Sequence, residues 1–170
     1  MKEAAKERVR AYTVVASGPL VLVAFFVVPL DWFGPHHALV SWLTFVGLLT
    51  VLGVGVLREV REQMLGRSRR PVPRILFLLC SALVVFSAAY LGMSKDPGEL
   101  DGLTTKIDAL YFTVITMATV GYGDIHPAGQ VARVVVMVQL LYTVVFLTTG
   151  VTALTRQVKT RAVKRARRED

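Results

Sequence analysis

The chain has 170 residues, of which 54% are hydrophobic and only 19% charged, with a net charge of +8. That composition excludes a sizeable soluble domain and fits a protein built to sit in lipid. Its one cysteine, Cys80, rules out an intrachain disulfide and a cysteine-based metal cluster, and its apolar surroundings make it a small packing residue.

Residues 1–10, MKEAAKERVR, are charged. The apolar run behind them is long and is not closely followed by a small-x-small cleavage site, so it reads as a transmembrane helix over about 11–30 rather than a signal peptide. Gly18-Pro19 should kink it, Pro29 and Asp31 end it, and Trp32 suits the interface. His36 and His37 sit in a short polar turn and read as solvated residues rather than a pH sensor. A second helix is expected over 38–57, with Gly47, Gly53 and Gly55 allowing close helix approach. Neither helix carries the spaced basic residues of a voltage sensor.

A basic loop follows at 58–74, where Pro71 and Pro73 punctuate the chain. A third span is expected at 75–92, and residues 93–105, MSKDPGELDGLTT, are rich in turn formers and acids. Thr105-Lys-Ile-Asp108 has the spacing of a capping box, opening a helix over 105–118 that is too short to cross a bilayer. Its C-terminal end, aimed inward, favours a cation near the membrane centre. The last span is expected at 131–154. Gln139, a polar group inside that span, should find a hydrogen bond across a helix interface. The tail after 155 carries seven basic residues and no aromatic residue to stack on bases, which argues against nucleic acid and for attraction to anionic lipid.

Between the short helix and the last span lies Thr119-Val120-Gly121-Tyr122-Gly123-Asp124. Irregular backbone at membrane depth is tolerated only where protein buries it or it lines water. Glycine at 121 and 123 permits backbone angles forbidden to other residues. Alternating ordinary and glycine-type angles point successive carbonyls the same way, so four copies around an axis would stack rings of oxygens, with the Thr119 hydroxyl adding one more. A dehydrated cation can exchange its water shell for such rings.

This stretch, with Thr116 three places upstream, resembles the selectivity filter of potassium channels. The resemblance covers about residues 75–155. It implies four chains around one pore, with Thr119, Val120, Gly121 and Tyr122 giving backbone oxygens to K+ and the Thr119 side chain closing the inner site. It also implies that Gly123 turns the chain out of the filter, that Asp124 marks the outer mouth, and that the Tyr122 ring packs sideways against pore helices. Tyr111 and Phe112 match the aromatic pair that braces the filter in relatives, with Thr116 as further support. Two departures stand out. Ile115 replaces a carboxylate found in some relatives, and the inner helix has no glycine before Gly150, which puts any opening bend lower or the gate at the filter. Helical spacing directs Val144, Leu147 and Val151 toward the cavity, or equally toward lipid.

The N-terminus, the 58–74 loop and the tail together hold 17 basic and 6 acidic residues, net +11; the remaining stretches hold 3 basic and 6 acidic, net −3. The positive-inside rule then makes both termini and the 58–74 loop cytoplasmic and opens the filter outward. The expectation is an all-α membrane protein with four transmembrane helices, a re-entrant pore helix and a selectivity filter, assembled as a homotetrameric pore in the plasma membrane. Its parts are a cytoplasmic segment 1–10, a two-helix hairpin 11–57, a loop 58–74, a pore domain 75–155 and a basic tail 156–170. Within the pore domain lie an outer helix 75–92, a pore helix 105–118, a filter 119–124 and an inner helix 131–154. The expected function is passive K+ permeation, without cofactor beyond the permeant ion. No nucleophile–base pair or metal-ligand cluster suggests an enzyme. The alternatives are a weakly selective cation channel and a non-conducting subunit or transporter component.

Overall fold

The computed structural model of the chain describes residues 19–27, 38–65 and 71–169. The charged start at 1–10, Gly18, Pro29, Asp31, Trp32, the His36–His37 turn and Arg67, Arg69 and Arg70 lie outside the described residues. Residues 19–27 are helical (α1). There follow α2 (Ala38–Met64), α3 (Pro71–Met93), β1 (Leu100–Asp101), α4 (Lys106–Met117), β2 (His126–Pro127) and α5 (Gln130–Glu169). Among the described residues three helices are long and apolar enough to cross a membrane: Leu39–Met64, Val72–Met93 and Gln130–Ala153. With 12 residues, α4 is not one of them, since at ~1.5 Å per residue it covers about 18 Å of a hydrocarbon core roughly 30 Å thick.

The boundaries differ from expectation in ways with physical causes. α2 does not end at 57 but continues to Met64. The charged residues there are good helix formers, and Glu59 and Gln63, one turn apart, are buried. Gln63 Nε2 donates to Glu59 Oε1 at 3.3 Å, and Arg74 Nη1 reaches Glu59 Oε2 at 3.4 Å and also bonds Glu62. Arg58 and Arg61 therefore lie on a helix rather than in a loop. α3 starts at Pro71, four residues early, because proline needs no backbone partner in a first helical turn. α5 does not stop near 154 but runs 40 residues to Glu169; no glycine or proline follows Gly150 to break it. The fold is also not purely helical: β1 and β2 form a two-residue antiparallel ribbon pairing Leu100 with Pro127 and Asp101 with His126.

The core lies where α3 meets α2, α4 and α5, around Leu52, Val56, Phe86, Tyr90, Phe112 and Phe146. A ladder of edge-on rings runs from Trp42 to Phe45, Phe86 and Tyr142, with centroids 5.8–6.1 Å apart. Two of the three expected close-approach glycines are used. A Cβ on Gly53 would stand 2.8 Å from Tyr142 Oη, and one on Gly55 would stand 2.9 Å from a Leu78 methyl, whereas Gly47 faces open space. The notch at Gly53 lets Tyr142 Oη donate to Leu49 O at 2.6 Å, tying α2 to α5. At the other end of the molecule Lys106 Nζ donates to Phe25 O and Phe26 O in α1 at 3.3 and 3.1 Å. Long apolar stretches such as Leu43, Val46, Val51 and Leu57 of α2 and Met137 and Leu141 of α5 stay exposed on the chain, as suits helices solvated by lipid.

These glycines supply a paired test. Gly53→Ala should destabilise the folded chain by about 1–3 kcal/mol, as overpacking does. Gly47→Ala should be neutral or stabilising by up to roughly 1 kcal/mol through helix propensity. Thermal melting of both variants in detergent measures the difference.

Candidate functional site

The site is built downward from the start of α4. Thr105 has extended backbone angles, and its hydroxyl accepts from Asp108 N at 3.1 Å. Asp108 Oδ2 accepts in return from Thr105 N at 2.7 Å, Thr104 N at 3.1 Å and the Thr104 hydroxyl at 2.9 Å. The expected capping box is thus present, widened by one residue. Those donors, first the Thr104 amide and then that of Thr105, hold the Asp108 carboxyl below its ordinary pKa.

One face of α4 (Ala109, Phe112, Thr113 and Ile115) is buried against the chain. Tyr111 and Phe112, predicted as one bracing pair, go separate ways, because adjacent helical residues point about 100° apart. Phe112 packs edge-on to Tyr90 in α3, with centroids 4.9 Å apart. Only Tyr111 reaches the glycine-rich stretch, donating to Asp124 Oδ2 at 2.8 Å, and that bond raises its pKa.

The helix ends by handing its last carbonyls to the segment that follows. Ala118 N donates to Val114 O, Val120 N to Ile115 O at 2.9 Å and Thr119 N to Thr116 O at 3.1 Å. Thr116 thus contributes its backbone oxygen. The negative end of the helix dipole faces residues 119–123. Along that segment φ is +57° at Thr119, +58° at Gly121 and +82° at Gly123, while Val120 and Tyr122 have negative φ. Left-handed and ordinary backbone angles thus alternate along the segment, as the glycine spacing predicts. A Cβ on Gly121 or Gly123 would meet nothing within 4 Å, so the backbone angle, not space, demands glycine. Thr119 takes the same angle despite its branched side chain, a strained state for such a residue. Residues 119–124 are exposed on the single chain, Val120 by 50% and Tyr122 by 72%.

Past the glycines the chain is clamped. Ile125 is buried, and Gly102 (φ +82°) lies so close that a Cβ there would stand 2.6 Å from Asp124 O. His126 Nε2 lies 3.6 Å from Asp101 Oδ2 across the ribbon. Glu99 accepts from Ala128 N and Gly129 N through its carbonyl, while its Oε2 accepts from Ala132 N at 2.8 Å in the first turn of α5. A carboxylate at a helix N-terminus is favourably placed against the dipole. Sequence reasoning missed Glu99 and Gly102, whose only signal was their place in a turn-rich stretch.

Gln139 makes the hydrogen bonds expected of it, with partners on two other helices. Its Oε1 accepts from Tyr90 Oη at 2.6 Å and its Nε2 donates to Thr113 O at 2.8 Å. Val144, Leu147 and Val151 are 58%, 58% and 62% exposed, away from the packed face of α5. Among the described residues no group of three or more His, Cys, Asp or Glu could hold a metal ion.

A short capped helix that stops part-way, followed by an exposed glycine-rich segment with alternating backbone angles and flanked in the chain by two long apolar helices, defines the channel domain of a membrane protein. The profile of a family described as "Ion channel" matches residues 75–160, half of the chain, and the chain belongs to that family. It is 44% identical over 66 residues to "Two pore potassium channel b" of Oryza sativa subsp. japonica, a match covering 38% of this chain and 18% of the relative. It is 30% identical over 105 residues to "Potassium channel K2" of Plasmodium falciparum, covering 56% of this chain and 7% of the relative. It is 30% identical over 76 residues to the "Hyperpolarization-activated voltage-gated potassium channel" of Methanocaldococcus jannaschii, covering 45% and 35%. The chain therefore spans about a third or less of the length of these relatives. No solved structure matches it.

The capping box gives a pH prediction. Because the folded pKa of Asp108 is depressed, its stabilising contribution is complete above the ordinary carboxylate pKa and is lost as pH falls through the lowered folded value. Acid melting curves of the wild type and Asp108→Ala should therefore converge at low pH and separate toward neutrality, with the variant the less stable.

Proposed function

We propose that four copies of this chain surround one pore and that residues 119–123 form its potassium-selective filter. The observation that carries this reading is the alternation of backbone angle at Thr119, Gly121 and Gly123 in a segment left exposed by its own chain. Carbonyls of Thr119, Val120, Gly121 and Tyr122, with the Thr119 hydroxyl, replace the hydration shell of K+, and neighbouring ions push one another onward. The mechanism is passive permeation, and potassium is named in all three relatives above. The exposed Tyr122 ring is free to pack against the pore helix of the next subunit. Asp124, held by Tyr111, shapes the outer mouth. Val144, Leu147 and Val151 line the cavity beneath the filter.

The first apolar run, of which residues 19–27 are helical, supplies a fourth membrane span. The asymmetry of +11 against −3 sets both termini in the cytoplasm of a plasma-membrane protein and turns the filter outward. The lysines and arginines of the tail attract anionic lipid, each worth about 1 kcal/mol near a charged leaflet. Arg58 and Arg61, the basic residues of the described part of the first two helices, sit at the C-terminal end of α2 beyond its apolar length, so opening does not rest on an arginine ladder there.

Purified chain in liposomes should take up rubidium, and its reversal potential should follow potassium over sodium. Gly121→Ala should abolish the selective current while the tetramer still assembles, since φ +58° is costly for any residue with a β-carbon. A reversal potential indifferent to the choice of potassium or sodium would establish the weakly selective channel instead. No flux from a correctly assembled tetramer would establish the non-conducting subunit.

A further inference from the structure

Four polar side chains are completely enclosed between α3, α4 and α5. Tyr90, Ser87, Thr113 and Gln139 are each 0% exposed. They form one connected system. Tyr90 Oη donates to Gln139 Oε1 at 2.6 Å, and Gln139 Nε2 donates to Thr113 O at 2.8 Å. Ser87 Oγ donates to Thr113 Oγ1 at 3.0 Å, and Thr113 Oγ1 donates to Ala109 O at 2.8 Å. No buried side-chain polar atom among the described residues lacks a partner. In low dielectric such a network is rigid when complete and costly when broken.

Its geometry is directional. Gln139 reaches from α5 to the backbone of α4, at the carbonyl of Thr113, two residues before Ile115. Ile115 O and Thr116 O in turn accept from Val120 N and Thr119 N. The start of the glycine-rich segment is therefore hung on the turn of helix that Gln139 holds. Ile115 itself is apolar and buried, so this position offers no side-chain hydrogen bond to the segment behind it. We infer that Gln139 is a positioning residue for the filter: its amide on Thr113 O fixes how far the C-terminal end of α4, and with it the ring of Thr119 and Val120 oxygens, stands from the inner helix. Tyr90 does a different job. Its hydroxyl satisfies Gln139 Oε1, while the Thr113 carbonyl, an acceptor, selects the amide nitrogen by itself. The inference rests on reading residues 119–123 as a potassium site.

The test separates ion binding from stability. Anything bound by the native state alone raises the melting temperature, by an amount that grows with the logarithm of its concentration above the dissociation constant. Tetramer melting is followed against potassium chloride, with sodium chloride holding ionic strength constant, for the wild type, Tyr90→Phe, Gln139→Met and the double variant Tyr90→Phe/Gln139→Met. Removing both hydrogen-bonding partners with apolar groups of similar shape is nearly neutral for folding, so the double variant remains informative where Gln139→Met alone fails to assemble. Tyr90→Phe should lower the melting temperature without altering its dependence on potassium. Both variants carrying Gln139→Met should need about tenfold more potassium for the same rise, the equivalent of one buried hydrogen bond. Wild-type potassium dependence in the double variant would overturn the inference, as would an equal shift in Tyr90→Phe. Absence of any potassium effect on the wild type would instead bring down the filter reading itself, whatever the variants did.

Discussion

A peptide backbone in lipid has to satisfy its own polar groups, and the structure is arranged around one place where it does not do so in the ordinary way. Three long helices satisfy theirs internally. α4 stops part-way, and its last carbonyls are taken by the amides of Ala118, Thr119 and Val120. The chain beyond then leaves helical geometry, with positive φ at every second residue from Thr119 to Gly123. Such a segment has no hydrogen-bond ladder of its own to define it. Its shape must be imposed from its two ends.

Both ends are heavily tied. At its start the ties run through α4 to buried Gln139 and Tyr90. At its end Tyr111 holds Asp124, Gly102 admits the Asp124 carbonyl, and the ribbon pins His126 and Pro127 to β1. Glu99 carries the same anchorage on to the first turn of α5. A branched residue in the left-handed region costs on the order of 1–3 kcal/mol and persists only where its surroundings over-determine it. The hydrogen bond from Thr119 N to Thr116 O and the one from Val120 N to Ile115 O bracket Thr119 and meet that condition.

Much of this was legible in the sequence where the signal was local. The capping box at Thr105 and Asp108 was spelled out at its fixed spacing, and the glycines at 121 and 123 announced their backbone angles. Gln139 stood out as a polar group in an apolar run, so a partner had to exist. Its identity was hidden, because Tyr90 is 49 residues away and a tyrosine in a span reads equally well as an interfacial anchor. Glu99 was hidden for the opposite reason: in a turn-rich acidic stretch a carboxylate carries no periodicity to mark it. The extensions of α2 and α5 were misjudged because a run of arginines signals topology strongly and says nothing about where a helix stops. The end of α2 is set by tertiary pairing of Glu59 and Glu62 with Arg74.

The division into a separate hairpin and a pore domain also changes its meaning once packing is known. Leu52 and Val56 of α2 belong to the same core as Phe86, Phe112 and Phe146. The ring ladder from Phe45 through Phe86 to Tyr142 crosses α2, α3 and α5, and the Tyr142 hydroxyl ends on a carbonyl of α2. Tyr142 is three residues from Gln139, close to one helical turn. One stretch of α5 therefore grips α2 with one side chain and α4 with another. A shift of α5 along its axis at that level would strain both contacts together, so α2 and α4 brace the same stretch of α5. The second predicted helix shares one core with the matched region, although the family match begins only at residue 75.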